Sequence, residues 1–313
     1  MITVSNSRIG CYLSCPYAHY LRYVEKIAKK TKSRSLSFGS DFHRLLEHRI
    51  EPEKLPKIME EIEEKYYSLE PSQQNELGDG YLESLSTIFA DYQEVYKDEK
   101  LPEHTEVRFE IPIGKFKGEQ VYFVGIIDEI YEDGMIGEHK TFNRKPDVRT
   151  IVMNAQKCLY AKAIELWTGK MPEKVQWDYI KNVPAAEPIW LERSGKFSES
   201  KSDKITPFSW MRACKNRNLD LSQNTQKAEI YEGNIPNFFF RLTEDYIPEM
   251  VNEIYSSFLY SAKEAVKNAE KNKARHTGPN CSWCEFKDIC YAELTGGNAA
   301  YIREKDFKER SEW

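Results

Sequence analysis

Gly125-Ile126-Ile127-Asp128-Glu129-Ile130-Tyr131-Glu132-Asp133-Gly134-Met135-Ile136-Gly137-Glu138-His139-Lys140-Thr141 is the stretch that decides how this chain is read. An apolar run leads into Asp128, Asp133-Gly134 is a hairpin-turn pair, and a second short apolar run follows. Two antiparallel strands are predicted, with Asp128 ending the first. Glu138 and Lys140 are two residues apart on the second strand, so both point to the same face. The hairpin can bring Asp128 beside them, and two carboxylates and an ammonium then converge at one sheet edge. Hydrolysis of a phosphodiester needs this set. Hard oxygen ligands hold Mg2+ or Mn2+, and the cation activates water and neutralises charge on the scissile phosphate. A lysine orients or deprotonates that water, or stabilises the developing charge. The same residues also suit a surface hairpin with a plain Glu138–Lys140 ion pair, because Asp followed later by Glu-x-Lys is a short motif.

Working outward, Val107-Arg108-Phe109-Glu110-Ile111 and Val121 to Ile127 read as strands, with Gly114 and Gly118 in the turns. Before them, apolar residues recur at helical spacing over 5–28, 38–50, 56–68 and 80–97. Ser5 or Ser7 can cap the first helix, and Pro16 kinks it or breaks it in two. After the hairpin, a helix over 150–167 ends near Thr168-Gly169, and Val175 to Ile180 reads as a strand. Residues 183–240 have weak periodicity. Short strands are expected at Ile189-Trp190-Leu191 and Phe238-Phe239-Phe240, with a helix near 207–218. A long helix over about 244–274 closes the pattern, and the sequence contains no internal repeat.

The chain has 313 residues, 40% apolar and 30% charged. That composition fits a soluble globular protein with a real core. No stretch approaches the roughly 20 apolar residues of a membrane-spanning helix. Met1-Ile2-Thr3-Val4-Ser5 has neither a basic start nor an apolar run, so a cytoplasmic protein is expected. The net charge of −5 does not by itself indicate a nucleic-acid binder. Its distribution is uneven. Lys26, Lys29, Lys30, Lys32 and Arg34 form one basic run, and Lys263, Lys267, Lys271, Lys273 and Arg275 form another. Both also read as ordinary solvated helix faces.

Cys281-x2-Cys284-x5-Cys290 places three thiols within ten residues, and Cys15-Pro16 lies at the far end of the chain. Clustered cysteines in a reducing compartment point to a metal centre, and a fourth ligand from the N-terminus would tie the two ends together. The spacing leaves zinc and an iron-sulfur cluster both open. Cys11 and Cys15 share a face on an unbroken helix, so either can be the fourth ligand. Pro16 disfavours helical geometry at Cys15 and frees it to turn outward, whereas Cys11 sits in the apolar segment of Ile9, Tyr12 and Leu13. Cys158 and Cys214 read as ordinary thiols.

In chain order the sequence carries Ser5-x-Ser7-Arg8-Ile9, Cys15-Pro16, Gly39-x3-His43-x3-Glu47, Gly125-x2-Asp128, Glu138-x-Lys140, Gln156-x3-Tyr160 and the three C-terminal cysteines. This order resembles the RecB-like exonucleases of the PD-(D/E)xK nuclease superfamily that carry an iron-sulfur cluster, such as the CRISPR-associated RecB-like exonucleases and the AddB nuclease domain. The resemblance spans residues 5–295, with 183–240 matching least.

The resemblance implies an α/β, restriction-endonuclease-like core, a mixed central sheet flanked by helices, whose terminal segments are clamped by a four-cysteine cluster. It implies one nuclease domain over 1–313 with an insertion at about 183–240. Asp128 and Glu138 would be metal ligands for Mg2+ or Mn2+, joined by His43 and the backbone carbonyl of His139, with Lys140 as the catalytic lysine. Gln156 and Tyr160 would lie beside the active site, Glu106 could be a supporting carboxylate, and Thr141 and Arg144 could contact phosphate. Cys15, aligned with the family's Cys-Pro pair, would join Cys281, Cys284 and Cys290 on a 4Fe-4S cluster. The implied activity is metal-dependent cleavage of DNA, exonucleolytic at single-stranded ends, with a helicase, recombination or CRISPR-type partner. Two other readings are a non-catalytic DNA-binding subunit that keeps the fold, and a zinc-stabilised interaction module.

Overall fold

A computed structural model describes residues 2–116, 118–198 and 202–310. From the N-terminus, β1 (Ile2–Val4) leads into α1 (Asn6–Ser14), α2 (Pro16–His19), a π-helical turn (Tyr20–Val24) and β2 (Ile27–Lys29). Four helices follow: α3 (Arg34–Glu47), α4 (Leu55–Tyr67), α5 (Pro71–Leu77) and α6 (Tyr81–Val95). Next come β3 (His104–Phe116), β4 (Glu119–Ile130), β5 (Ile136–Phe142), α7 (Val148–Val152), α8 (Ala155–Thr168) and β6 (Lys174–Lys181). β7 (Trp190–Leu191), β8 (Lys196–Phe197), α9 (Pro207–Asn216) and α10 (Leu221–Glu229) precede β9 (Phe239–Asp245). The described chain ends with α11 (Pro248–Asn268), α12 (Lys287–Thr295), α13 (Ala299–Asp306) and β10 (Phe307–Glu309).

The N-terminal helix breaks where Pro16 requires it: Cys15 is extended, at φ −159° and ψ 109°. The long helix expected over 244–274 starts later, at Pro248, and ends at Asn268. The short strand expected at Phe238-Phe239-Phe240 forms as the start of a longer edge strand, 239–245, whose register with β6 runs from Phe239 opposite Ile180 to Asp245 opposite Lys174. Helices α5, α10, α12 and α13 were not foreseen, because each is too short to show a clear apolar period.

The central sheet is mixed and six-stranded, in the order β1-β4-β5-β6-β9, with β3 on the other side of β4. β1 runs parallel to β4 and β5 parallel to β6, and the other pairs are antiparallel. One face of the sheet packs on α1, α8 and α11 through Ile9, Leu159, Phe258 and Val266. Helices α3 to α6 bury Phe38, Phe42, Leu45, Tyr81 and Tyr92 in a second core that reaches Ile180 and Phe239. Residues between β7 and α10 form a smaller core of their own around Phe197, Trp210 and Cys214. No helix among the described residues is long and apolar enough to cross a membrane.

β4 changes partner along one side. Near its start it pairs with β1 at Val121 to Phe123, and at its end with β5 only at Glu129 and Ile130. Residues 124–128 lie between these two contacts with no strand beside them on that side. The hairpin therefore opens as a fork, with Asp128 at its apex.

The terminal segments meet away from the fork. β10 pairs with β2, the Tyr17 N–H donates to the Ala274 carbonyl at 3.0 Å, and Tyr17, Leu21, Phe286, Ile289 and Phe307 form a shared core. Residues 273–275 run along α2, with Lys273 over the Tyr20 ring and Arg275 over Tyr17. This brings one end of the second basic run beside the N-terminal helices. His19 is wholly buried next to this junction, between the rings of Tyr12 and Tyr23, and neither ring nitrogen has a hydrogen-bond partner.

Burial, with Arg8 nearby, lowers the His19 pKa to about 4 from its ordinary value of 6.5. The unfolded chain thus takes up this proton first as pH falls, and the stabilisation present above pH 6.5 is lost as pH approaches 4. Urea unfolding of the wild type and His19→Leu should diverge as pH falls. The variant is expected to lack about 2–3 kcal/mol of the wild-type loss between pH 7 and pH 4.5. Parallel pH profiles would contradict a neutral, buried His19.

Candidate active site

At the fork apex the Asp128 side chain takes the place of a missing ladder bond. Its Oδ2 accepts a hydrogen bond from the His139 backbone N–H at 2.8 Å. Its other oxygen, Oδ1, lies 3.5 Å from Nδ1 of His43 on α3. Burial raises the Asp128 carboxyl, but the hydrogen bond and charge of His43, with Lys140 and His139, outweigh burial and hold it well below the usual carboxylate range. His43 reaches this position because α3 lies close against β5. A Cβ on Gly39, one turn earlier, would stand 3.2 Å from Thr141 Oγ1. Gly39 and His43 share a helix face at this spacing, and Thr141 is where α3 meets the strand.

Glu138 faces the same side of the sheet as Asp128 and is wholly buried. Its Oε2 accepts from Lys140 Nζ at 3.2 Å and from Gln156 Nε2 at 2.8 Å. Its Oε1 is buried with no hydrogen-bond partner. Burial, reinforced by the charge of Asp128, pushes the Glu138 carboxyl up to about 8 against the pull of Lys140. For Lys140 the balance is reversed: burial lowers its pKa, but Glu138 and Asp128 raise it further, so the group stays an ammonium. Gln156 is fixed at the start of α8, where the Asn154 side chain caps its N–H at 2.9 Å.

Tyr160 lies one turn along α8. Its ring is buried in the main core and packs edge-on against Phe109, with centroids 5.5 Å apart. Its ring reaches β4 because residue 125 is glycine. A Cβ there would fall 2.5 Å from the Phe109 ring and 3.2 Å from the Tyr160 ring. Tyr160, Gln156, Ser5, Asn6, Ser7 and residues 124–126 line a cavity of about 120 Å³ along the open edge of β4. The sequence motif beginning at Ser5 therefore lies beside the fork.

Glu106 also belongs to the site. Ligand atoms of His43, Glu106 and Asp128 all lie within 4.8 Å of one another. Burial and the Asp128 charge raise the Glu106 carboxyl, and His43 partly offsets them. The Glu-x-Lys pattern carries no trace of this residue, which arrives across the sheet from β3. Arg144 is exposed, in the segment after β5.

A network of buried charges lies beneath the fork. The His139 ring points away from Asp128, with Nε2 3.0 Å from Glu129 and Nδ1 3.2 Å from Asp178. Arg49 reaches Glu129 at 2.8 Å, and Arg241 reaches Asp178 at 3.3 Å. Tyr92 donates to Asp178 at 2.5 Å and Tyr131 to Glu129 at 2.9 Å. Burial alone would lower the His139 pKa, but its two carboxylate neighbours raise it to about 10. An Asp within the apolar strand Val175 to Ile180 was the available sequence signal for this network.

Cys15, Cys281, Cys284 and Cys290 all border one cavity of about 800 Å³ between the two terminal segments. Cys11 borders it as well, and burial raises its thiol to about 11. Cys158 and Cys214 are buried elsewhere.

A family model described as the PD-(D/E)XK nuclease superfamily matches residues 3–291. The chain belongs to that superfamily, whose members are usually metal-dependent nucleases acting on DNA. No curated protein matches the sequence. Among solved structures, the crystal structure of SSO0001 is similar over 94% of this chain and 88% of its own, at 15% identity and a TM-score of 0.36.

The network makes a stability claim. Removing one member leaves buried charges without partners, at a cost of about 3–5 kcal/mol. Asp178→Ala is expected to lower the unfolding free energy by that amount in urea titration, because it strips His139, Arg241 and Tyr92 together. A loss below about 1 kcal/mol, the scale of an exposed pair, would contradict the network.

Proposed function

We propose that this PD-(D/E)XK nuclease is a metal-dependent deoxyribonuclease of the RecB-like, iron-sulfur kind, acting as an exonuclease on single-stranded DNA ends. The observation that carries the catalytic part is Glu138. A carboxyl group with no exposure, one oxygen held by Lys140 and Gln156 and the other unpartnered, leaves a buried polar atom that a cation would complete. Asp128 is close enough to raise its pKa, His43 stands beside Asp128, and the donor set is hard oxygen with one imidazole. That set fits Mg2+ and, with the imidazole, suits Mn2+ better.

Asp128, Glu138, His43 and the His139 carbonyl would hold the cation. A divalent cation there lowers the pKa of water and neutralises charge on the scissile phosphate. The chain's own groups do the rest. Lys140, kept as an ammonium, offers a charge-assisted hydrogen bond to a phosphate oxygen. Gln156 fixes the Glu138 carboxylate so that one oxygen stays free. The hydrogen bond from the His139 N–H leaves Asp128 Oδ1 as the oxygen turned toward His43. Tyr160 supports α8 against β4 through its buried ring. The preference for single-stranded ends rests on the sequence resemblance, as does a helicase, recombination or CRISPR-type partner.

The choice of a 4Fe-4S cluster over zinc at Cys15, Cys281, Cys284 and Cys290 rests on the sequence resemblance. These four cysteines and Cys11 border one cavity, which supports a shared centre there. Its role is structural, pinning α12 to α2 at the junction of the termini. Residues 183–240 are taken as an insertion within a single nuclease domain.

Two tests follow. End-labelled single- and double-stranded DNA, incubated with Mn2+, Mg2+ or EDTA, should be cut only with the cation. Asp128→Ala, Glu138→Ala and Lys140→Ala should each lose activity by at least about 10²-fold, the scale of removing an electrostatic or acid-base group. Full activity in Lys140→Ala would overturn the assignment and favour a DNA-binding subunit. For the cluster, iron and sulfide are measured on anaerobically purified variants. Cys15→Ser should lose both and Cys11→Ser should keep them. The reverse pattern would exchange the two cysteines, and zinc in place of iron would support the interaction module.

A further inference from the structure

Glu106 has a backbone that its position in the sheet does not explain. Its φ is +50°, in the left-handed region that residues with a Cβ avoid. Among the described residues the two other non-glycine residues with positive φ are Lys26, between a π-helical turn and β2, and Asn218, just after α9. Glu106 instead sits inside β3. On either side of it the ladder is regular, with Thr105 opposite Glu129 and Val107 opposite Ile127. Residue 106 is thereby placed across from Asp128, but no Glu106–Asp128 pair forms in the ladder. The strand continues in the same register, so the distortion neither turns the chain nor inserts a residue.

What the distortion does is bring a third ligand to the fork. The Glu106 carboxylate shares a space under 4.8 Å across with His43 and Asp128, and all three are partly open to solvent. Glu138 is not within that group, and its Oε1 is wholly buried without a partner. Two neighbouring carboxylates repel each other, and a left-handed glutamate adds strain, so the apo protein gains nothing from this arrangement. Local strain of this kind persists where the surroundings over-determine it, and it collects at functional sites.

We infer that Glu106 is a direct ligand of the catalytic cation, held on strained backbone so that it meets His43 and Asp128 from the β3 side. This rests on the reading of the fork as a cation site and extends its ligands beyond the Asp, Glu and His that the sequence motifs contain. An additional carboxylate raises the negative charge facing the cation; with Asp128, Glu138, His43 and the His139 carbonyl it makes five ligands and leaves one position of an octahedral cation for water or phosphate.

The test is cation binding to the full-length protein without DNA. Mn2+ is titrated by calorimetry, and by the loss of its free-ion EPR signal, into the wild type, Glu106→Gln, Glu106→Gly and Asp128→Asn. Melting temperatures are recorded in EDTA. Both Glu106 variants should bind Mn2+ at least about tenfold more weakly, as loss of a metal partner typically does. Glu106→Gly should also melt no lower than wild type in EDTA, because glycine adopts positive φ freely. Affinity down with apo stability unchanged or raised is a combination that a structural role does not produce. Wild-type affinity in both Glu106 variants, with weakened binding in Asp128→Asn, would overturn the inference and leave the fork reading intact. Undiminished binding in Asp128→Asn would overturn both. A Glu106→Gly protein that melts lower in EDTA would assign residue 106 to the fold and likewise reject it as a ligand.

Discussion

Everything at the site depends on one strand that is paired incompletely. β1 and β5 take only the two ends of the same side of β4, and five residues between them have no ladder there. Backbone groups cannot be left buried without partners, so side chains move in. Asp128 accepts the His139 N–H, and Tyr160 approaches the edge over Gly125. A fully zipped hairpin would have paired the backbone there and left no gap for Asp128 to enter. The fork converts a local shortage of hydrogen bonds into a fixed orientation for two carboxylates.

The two faces of β5 divide the labour. Glu138 and Lys140 look toward α8, and His139 between them looks toward α3 and α6. On that second face the three cations His139, Arg49 and Arg241 meet the two buried carboxylates Glu129 and Asp178, and Arg241 also pairs with the more exposed Glu99. The network adds little net energy over an apolar core of the same shape, since desolvation offsets attraction. What it adds is geometry. A one-residue slip of β5 would carry His139 out of the network and Glu138 into it, so register is tightly held. Gly137 belongs to the same arrangement, because a Cβ there would stand 2.8 Å from Glu129 Oε2.

Much of this was legible in the sequence, for identifiable reasons. The Asp-Gly turn, the two-residue spacing of Glu138 and Lys140, and the helical spacing of Gly39 to His43 and Gln156 to Tyr160 are local rules, and the structure follows them. Pro16 marked the break at Cys15 correctly. Interactions across the sheet were hidden. Glu106 was named as a supporting carboxylate, but the positive-φ backbone that carries it to His43 and Asp128 is advertised by no residue type. Asp178, Arg49 and Arg241 meet only because two strands, β6 and β9, converge with the end of α3. The edge strand β9 was expected only as far as Phe240, and its last residues, Glu244 and Asp245, were given to the following helix because their charges blur a period of two. Tyr160 packs its ring on Phe109 in the core and also lines the cavity along the open edge of β4, a double placement that its spacing from Gln156 does not distinguish.

The central claim is that the unpartnered oxygen of Glu138 and the fork oxygen of Asp128 bind one cation. Anomalous diffraction from crystals of the protein grown with Mn2+ tests this most directly. The account predicts a single strong anomalous peak within about 2.0–2.6 Å of a carboxylate oxygen of each residue, the range of oxygen ligands to such cations. A structure at saturating Mn2+ with no peak between Asp128 and Glu138, and Glu138 Oε1 still without a partner, would contradict it.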